Sequence, residues 1–402
     1  MINFAPPRID EKTIDAVSET LRSGWITTGP KTKLLEKKIS EYCGGSQTLC
    51  LNSATAGLEL ALRWFGVGPG DEVIVPAYTY AATANVVIHC GATPVLVDVN
   101  QDDFCISASS IERAITAKTK VIMPVDFGGL PCDYDTIVTI VETAKNVFHP
   151  ANEHQKKLGR ILILSDAAHS LGAIYKGKNA GMFADISVFS FHAVKNLTTA
   201  EGGAMLFNLP EPFNNAAIYK ELSITSLHGQ TKDAMAKMQK GNWKYDIVEA
   251  GFKCNMTDLA ATIGLVELER YKDDTLPKRK AIVDAYHSFF SVYEWAELPI
   301  SKDAERESSY HLFPLRIKNI TEEQRDAIIQ KIFDRDVAVN VHFIPVPMMS
   351  FYRNMGYKIT DYPVTYDNFS REISLPVYYD LTMDEVAIVT KAVKDSVTEV
   401  LK

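Results

Sequence analysis

The chain has 402 residues, 46% of them hydrophobic and 23% charged, which is typical of a folded protein of two or three domains and excludes a disordered or fibrous chain. Its 42 lysines and arginines against 50 aspartates and glutamates give a net charge of −8, which disfavours nucleic acid as a partner. We find no basic leader followed by an apolar segment, and no stretch of roughly 18 apolar residues that would span a membrane. We therefore expect cytoplasmic residence and no membrane partner.

The cysteines indicate neither a metal site nor a disulfide framework. No CxxC pair occurs, and no histidine stands at metal-ligand spacing from a cysteine. We therefore predict no metal and six buried free thiols, at Cys43, Cys50, Cys90, Cys105, Cys132 and Cys254.

Short apolar runs alternate with helical patterns between residues 48 and 207. The first run, TLCLN, leads to Ser53, a suitable N-cap for a helix whose apolar face contains Leu58, Leu62 and Phe65. Later runs that predict strands are EVIVP, PVLVDV, KVIMPVDF, RILILSD and DISVFSF. Apolar strands separated by helices are typical of a parallel sheet covered on both faces, so this part is predicted to be α/β. The polar segment 146–160 contains proline and is predicted to be a surface loop.

The second half of the chain differs in composition and in its hydrophobic pattern. It is mostly polar from 208 to 249, and helices are predicted near 257–271, 278–293 and 321–334 and from Met383 onward. The runs HLFPLRI and VAVNVHF predict strands among these helices. We therefore predict a large α/β domain with an N-terminal arm over 1–250 and a smaller α+β domain over 251–402.

Lys195 is the first candidate for chemistry. It follows the apolar run ISVFS and precedes Gly202 and Gly203, whose small size lets the backbone pass closely. A lysine is usually a solvated surface cation. At the end of a buried strand, however, desolvation lowers the pKa of the amine and makes it nucleophilic, so we retain Lys195 as a candidate nucleophile.

Asp166 is the second candidate, because it ends the run RILILSD at the edge of the sheet where open α/β folds bind ligands. Its carboxylate can pair with a heteroaromatic ring nitrogen and keep that nitrogen protonated, or it can cap a helix that begins in AAHSLGA. His169 lies three residues on and faces the same side if the turn is helical. Taken alone, His169 is equally explained as a buried, hydrogen-bonded histidine.

Two helix starts at the same edge are further candidates. The N–H groups of Ala54 and Thr55, just after Ser53, would face an anion such as phosphate, although ordinary capping explains the same residues. Tyr80 begins another helix and can stack on a planar ring, or it can belong to the core. Together, a phosphate-seeking helix start, a stacking ring, a carboxylate and a lysine supply the contacts that pyridoxal phosphate requires.

These motifs, in this order, resemble the fold-type I pyridoxal-phosphate enzymes and in particular the DegT/StrS family of sugar aminotransferases. The resemblance extends over nearly the whole chain through SGWITTGP, SATAGLELAL, GDEVIVPAYTYAATAN, GATPVLVDV, SDAAHSLGA, FSFHAVKNLTTAEGG, GFKCNMTDLAATIG and VHFIPV. It implies a mostly parallel, seven-stranded type of sheet covered by helices, with a smaller C-terminal α+β domain. Within the family the pattern is most similar to the UDP-4-amino-4-deoxy-L-arabinose synthase type. The resemblance also implies a role in polysaccharide biosynthesis.

The resemblance also implies a role for each matched residue. Lys195 corresponds to the lysine that holds the cofactor covalently, and Asp166 to the partner of the pyridine nitrogen. The other implied cofactor contacts are Tyr80 on the ring, His169 beside it, and Ala54, Thr55 and Ser190 on the phosphate. A neighbouring subunit of a homodimer with shared active sites would contribute Lys253 or Asn255, and substrate contacts are expected from Thr28, Lys31 and His342.

Three positions depart from the family pattern. Asp126 stands where relatives usually have histidine, and Met348 and Met349 stand where many relatives place a second histidine. Both segments are expected to border the substrate, so the sugar is expected to differ from that of the best-known members. The implied reaction moves an amino group from an amino acid, with glutamate as the expected donor, to a nucleotide-linked ketosugar, most simply a UDP-4-keto sugar.

Two alternatives remain open at this point. One is a sugar dehydratase that uses pyridoxamine phosphate, in which relatives carry histidine in place of the lysine. The other is a non-catalytic regulator that binds the cofactor after losing its substrate contacts. Lys195 argues against the first, and the retained lysine, aspartate and serine argue against the second.

Overall fold

A sheet of seven strands forms the centre of the larger part of the molecule in this computed structural model, which describes residues 1–233 and 243–402. The strands follow the apolar runs of the sequence, because a strand covered on both faces needs apolar residues at every position. In chain order they are β1 (Gln47–Leu51), β2 (Glu72–Pro76), β3 (Thr93–Val97), β4 (Thr119–Ile122), β5 (Leu162–Asp166), β6 (Ile186–Ser190) and β7 (Gly203–Phe207).

The strands lie in the order β1-β7-β6-β5-β4-β2-β3. Six of them run parallel, and β7 runs antiparallel to both of its neighbours. The prediction of a mostly parallel sheet is therefore confirmed. Because β1, β2, β5 and β6 point the same way, their carboxyl ends meet at one edge, which is where such sheets bind ligands.

Helices cover both faces of this sheet and build the rest of the molecule. No helix of the described residues is long and apolar enough to cross a membrane. In chain order the α-helices are α1 (Glu11–Arg22), α2 (Pro30–Cys43), α3 (Ala54–Trp64), α4 (Ala81–His89), α5 (Ala108–Ala114), α6 (Tyr134–Thr143), α7 (Glu153–Leu158), α8 (Asn215–Thr225), α9 (Asp258–Arg270), α10 (Leu276–Phe290), α11 (Glu322–Phe333), α12 (Ser350–Asn354), α13 (Pro363–Arg371) and α14 (Met383–Val400).

The start of α3 has the predicted cap. The side chain of Ser53 accepts a hydrogen bond of 3.1 Å from the N–H of Ala56, so one of the four unpaired N–H groups of the first turn is satisfied. The predicted apolar face, Leu58, Leu62 and Phe65, is buried in the core of the large sheet. The helix is thus anchored with its first turn at the carboxyl edge of β1.

Helices α1, α2 and α9 pack together beside the sheet. Asp258, the first residue of α9, accepts hydrogen bonds of 2.8 Å from Gly29 N–H and 2.9 Å and 2.7 Å from the N–H and hydroxyl of Thr32. This buried carboxylate therefore ties the loop before α2 to a helix more than two hundred residues later in the chain.

A second core lies in the C-terminal part. It is formed by α10, α11 and α14 around an antiparallel sheet in which β8 (Phe313–Ile317) pairs with β9 (Glu372–Leu375) and with the short strand Ala296–Glu297. The cluster of buried residues begins at Ile282, while α9 packs on the large domain. The boundary at residue 250 remains a prediction.

Two sequence expectations need correction. The segment 146–160, predicted as a surface loop, contains α7, and its buried Gln155 donates a hydrogen bond of 2.9 Å to the carbonyl of Phe65. The run VAVNVHF forms isolated bridges at Val337 and Asn340 rather than a strand. The polar stretch after residue 208 contains α8. The prediction of six buried free thiols is confirmed.

Candidate active site

A cavity of about 330 Å³ opens at the carboxyl edge of the large sheet. The parallel strands and the helices that follow them bring its lining residues together from distant parts of the sequence. The sequence candidates that line it are Ala54, Thr55, Tyr80, Asp166, His169, Ser190, Lys195 and His342. The candidates that lie outside it are Thr28, Lys31, Lys253 and Asn255.

Lys195 lies in the loop between β6 and β7, and its N–H donates a hydrogen bond of 2.9 Å to the carbonyl of His192. Burial lowers the pKa of its amine to about 8, and the nearby carboxylate of Asp166 acts in the opposite direction. Close packing beneath the loop depends on Gly203, because a Cβ atom there would lie 2.4 Å from the backbone nitrogen of Ala54. The amine is a half-buried base that lines the same cavity as the start of α3.

Asp166 ends β5, and its buried carboxyl group has two hydrogen-bond donors. Oδ2 accepts a hydrogen bond of 2.8 Å from the hydroxyl of Thr83, and Oδ1 accepts one of 3.3 Å from the N–H of Ala168. Burial raises the pKa of the carboxyl group, while these two donors and Lys195 oppose the rise. The chain continues in a turn, so the alternative of a helix capped by Asp166 is wrong. A protonated ring nitrogen placed here would restore the charged form of the carboxylate.

Four histidines line the same cavity, namely His169, His192, His311 and His342. Nδ1 of His169 accepts a hydrogen bond of 3.2 Å from Gly128 N–H, so the neutral ring carries its proton on Nε2. The ring of His311 lies 4.4 Å from that of His169, and its Nδ1 is 2.9 Å from the side-chain oxygen of Asn196. Burial holds the pKa of both rings well below the usual range, and nearby Lys195 lowers it further. Both rings are therefore neutral at neutral pH.

The start of α3 provides a cradle for an anion. The first-turn N–H groups of Ala54 and Thr55 have no acceptor within the helix, and both residues line the cavity together with Ser190 at the end of β6. Tyr80 precedes α4 and is 64% exposed, so its ring borders the cavity and does not belong to the core. An anion cradle, a bordering aromatic ring, a buried carboxyl group and an amine of lowered pKa fit pyridoxal phosphate.

The remaining candidates lie together on another surface. Lys253 donates to the side-chain oxygen of Asn255, and Asn255 donates to the hydroxyl of Thr28. The backbone N–H of Lys31 donates a hydrogen bond of 3.1 Å to the carboxylate of Asp258. Asn255 also lines an open, mostly apolar depression of about 460 Å³. Within one chain these four residues do not line the cavity of Lys195.

Asp126 and the two methionines that depart from the family pattern do not line the cavity themselves, although Val125, His342 and Phe343 of the same segments do. Asp126 is fully buried and accepts hydrogen bonds of 2.6 Å from Ser170, 2.8 Å from Tyr134 and 2.9 Å from the N–H of Cys132. Burial raises the pKa of its carboxyl group to about 6 despite these donors. Asp126 therefore supports the wall behind the cavity.

Sequence reasoning missed three contributors to this site. Thr83 reaches Asp166 from the first turn of α4, His311 comes from just before β8, and Phe4 lines the cavity from the N-terminal arm. A threonine within a helix and a histidine before a strand carry no local signal of function. Only the fold brings them to the carboxyl edge of the sheet.

A model of the DegT/DnrJ/EryC1/StrS aminotransferase family matches residues 7–394. The spore coat polysaccharide biosynthesis protein SpsC of Bacillus subtilis is 35% identical over 98% of this chain and 96% of its own length.

Solved structures similar to this chain are also those of aminotransferases. Spr1654 from Streptococcus pneumoniae, assigned as a sugar aminotransferase, is 48% identical in its PMP form, with a TM-score of 0.96 and full coverage of both chains. PseC of Helicobacter pylori, an aminotransferase of pseudoaminic acid biosynthesis, is 26% identical, with a TM-score of 0.86 over 99% of both chains.

Proposed function

Because the chain belongs to the DegT/DnrJ/EryC1/StrS aminotransferase family, we propose that it transfers an amino group from glutamate to a ketosugar carried on a nucleotide. Membership confirms the predictions of the fold class, of a sugar aminotransferase and of pyridoxal phosphate as the cofactor. A UDP-4-keto sugar is the acceptor that we propose, from the motif pattern of the sequence. The single observation that supports the reaction most strongly is the amine of Lys195, of lowered pKa, in one cavity with Asp166 and the start of α3.

In this proposal, different residues of the cavity bind different parts of the cofactor. Lys195 would supply the amine for covalent attachment, and Asp166 would pair with the ring nitrogen. Tyr80 and His169 would contact the ring, and the N–H groups of Ala54 and Thr55, with Ser190, would bind the phosphate. When bound, pyridoxal phosphate supplies an electron sink and carries the amino group between the two substrates.

Lys195 also moves protons in this proposal. With the cofactor bound and the lysine amine free, Nζ would accept the proton from the α-carbon of the donor. An amine whose pKa is about 8 is well matched to this task near neutral pH, because it gains and loses a proton readily there. The neutral rings of His169 and His311 add no positive charge that would lower its basicity further.

The charge inside the cavity supports a shared active site. Among the described residues that line it, Lys195 is the only lysine or arginine, although a nucleotide diphosphate and the carboxylates of glutamate are anionic. The net charge of −8 makes a local basic patch necessary. We propose a homodimer in which Lys253 and Asn255 reach the cofactor phosphate of the other subunit, with Thr28 and Lys31 beside the substrate. The apolar depression next to Asn255 supports an interface at this surface.

The alternative functions are less well supported. A dehydratase of this fold would not need a lysine, whereas Lys195 lines the cavity with its pKa lowered. A regulator would not need to retain the hydrogen bond that Thr83 gives to Asp166.

A substrate panel tests the proposal. Purified holoenzyme is incubated with glutamate and with UDP- and dTDP-linked 4-ketosugars and 3-ketosugars, and the aminated sugar is detected by mass spectrometry. We expect the UDP-4-keto sugars to be preferred. Conversion of free keto acids alone would contradict the sugar assignment and leave the aminotransferase assignment intact. Exclusive amination of 3-ketosugars would change only the position of attack.

A further inference from the structure

A buried chain of hydrogen bonds connects the cavity to a carboxyl group that the proposed reaction does not use. Nδ1 of His342 lies 2.9 Å from the hydroxyl oxygen of Ser374, which in turn lies 2.5 Å from Oε1 of Glu372. The other carboxyl oxygen, Oε2, accepts 3.0 Å from the backbone N–H of His342. Ser374 and Glu372 belong to β9 and are fully buried, while the ring of His342 lines the cavity.

Two aromatic rings pack against the ring of His342 and fix its position. The ring of Phe4 stacks on it with centroids 5.4 Å apart, and the ring of Phe343 meets its edge at 5.0 Å. Since Nδ1 is committed to Ser374, the ring nitrogen that remains for a ligand is Nε2. We propose that Glu372 and Ser374 are positioning residues that determine whether Nε2 of His342 donates or accepts a hydrogen bond in the cavity.

The direction of the hydrogen bonds from His342 through Ser374 to Glu372 depends on whether Glu372 is protonated. With Glu372 ionised, the Ser374 hydroxyl donates to Oε1, and Nδ1–H of His342 donates to Ser374, which leaves Nε2 as an acceptor. With Glu372 protonated, the proton lies on Oε1, because Oε2 already accepts the backbone N–H. Oε1–H then donates to Ser374, Ser374 donates to Nδ1, and Nε2 carries the hydrogen and becomes a donor.

The surroundings of Glu372 place this change near pH 8. Glu372 forms no ion pair among the described residues, and burial raises the pKa of its carboxyl group to about 8. The guanidinium groups of Arg316 and Arg325 oppose this rise. The other titratable groups nearby are Tyr78, which faces Glu372, and Lys195, His169 and His311, which face His342.

The ligand of Nε2 is inferred from the proposed function, on which this step rests. A ketone oxygen can only accept a hydrogen bond, so the state with protonated Glu372 is the one in which His342 can hold the ketone group of the sugar. The KM for the ketosugar is therefore expected to be low below pH 8. One pH unit above the pKa of Glu372, only about a tenth of the enzyme retains the donor state, so KM is expected to rise about tenfold.

Glu372→Gln is the decisive variant, because it mimics the protonated acid. The amide oxygen must accept the N–H of His342, so the amide NH₂ faces Ser374 and fixes Nε2 of His342 as a donor. We expect a low KM for the ketosugar that lacks the roughly tenfold rise of the wild type between pH 7 and 9. Ser374→Ala breaks the chain and is expected to raise KM at both pH values. Lys195 titrates in every variant, so its effect cancels in the comparison.

Ser396→Ala is the matched control, since Ser396 is also a fully buried serine and its hydroxyl has no hydrogen-bond partner among the described residues. It is expected to keep the pH dependence of the wild type. A Glu372→Gln enzyme whose KM rises between pH 7 and 9 as steeply as that of the wild type overturns the proposal.

A second readout does not depend on the substrate. In holoenzyme labelled with ¹⁵N-histidine, the signals of His342 are assigned by their loss in His342→Gln. We expect the wild type to change from Nε2–H to Nδ1–H between pH 7 and 9, and Glu372→Gln to keep Nε2–H. The same tautomer of wild-type His342 at both pH values contradicts the inference. If the wild type aminates no ketosugar but the tautomer changes, the proposed function fails and the hydrogen-bond chain stands.

Discussion

The hydroxyl group of Thr83 donates a hydrogen bond of 2.8 Å to Oδ2 of Asp166. The hydroxyl oxygens of Thr79 and Thr83 also lie 2.8 Å apart, within hydrogen-bond distance. The first turn of α4 thus orients the carboxylate at the end of β5. This contact gives Asp166 a defined direction in a cavity where burial opposes its charge.

Thr83→Val is therefore expected to weaken catalysis without unfolding the protein. Valine has nearly the same shape but gives no hydrogen bond, and a hydrogen bond to a charged group contributes about 1.5–3 kcal/mol, or roughly ten- to a hundredfold in rate. The measurement is the rate at which glutamate converts the bound cofactor in a stopped-flow spectrometer. Thr83→Ser keeps the hydroxyl and should react close to the wild-type rate. Equal rates for Val and Ser would show that the contact has no role.

Asp166→Asn is expected to have a larger effect, because a neutral amide cannot keep the ring nitrogen of the cofactor protonated. We expect the same glutamate reaction to slow by at least roughly ten- to a hundredfold, with circular dichroism unchanged. Asp126→Asn is a useful comparison, since Asp126 is also buried and hydrogen-bonded but does not line the cavity. A folded Asp166→Asn enzyme with a near-normal rate would contradict the assigned role of the carboxylate.

Lys195 should control how pyridoxal phosphate attaches to cofactor-free protein. Only the neutral amine reacts, and its lowered pKa means that the neutral form appears as pH rises through about 8, well below the 10.5 of a free lysine. The rate of attachment, followed by absorbance, should therefore increase through pH 8 and level off by about pH 9.

Borohydride reduction of the holoenzyme identifies the lysine involved. Peptide mapping should place the cofactor on Lys195, whereas Lys176 and Lys178, which lie outside the cavity, serve as internal controls. An adduct on either of these two, or a rate of attachment that rises only near pH 10, would exclude Lys195 as the attachment site.

Mixed dimers test the shared active site. A Lys195→Ala subunit and a Lys253→Ala, Asn255→Ala subunit should each be inactive in their own homodimers. A heterodimer of the two contains one intact composite site, so activity is expected to return to roughly half of the wild-type value per dimer. Heterodimers are isolated with two different affinity tags. A purified heterodimer that stays inactive would contradict the proposal that Lys253 and Asn255 act on the other subunit.

Much of the fold was predictable from local sequence. The strands at the centre of the large sheet are apolar at nearly every position, and Ser53 marks the start of α3 unambiguously. In the segment 146–160 the pattern failed, because α7 is short and Gln155 is buried through a hydrogen bond to a distant carbonyl. A polar side chain with a buried partner has no signature in the hydrophobic pattern.

The candidate site was predictable only in part. Lys195 and Asp166 stand at strand ends, so topology alone places them at one edge of the sheet. Thr83 and His311 become part of the site through tertiary packing, which no local pattern encodes. The chain from His342 to Glu372 depends on the pairing of residue 340 with β9, a contact between segments far apart in sequence.

The most direct test of the account follows a labelled nitrogen atom. Holoenzyme is treated with ¹⁵N-glutamate, freed of small molecules by gel filtration, and mixed with a UDP-linked 4-ketosugar in a single turnover. Mass spectrometry should then find ¹⁵N at the former ketone carbon of the sugar, with close to one label per active site. A sugar that returns unchanged, while the same enzyme gives its ¹⁵N to a simple keto acid, would contradict amination of a nucleotide-linked ketosugar.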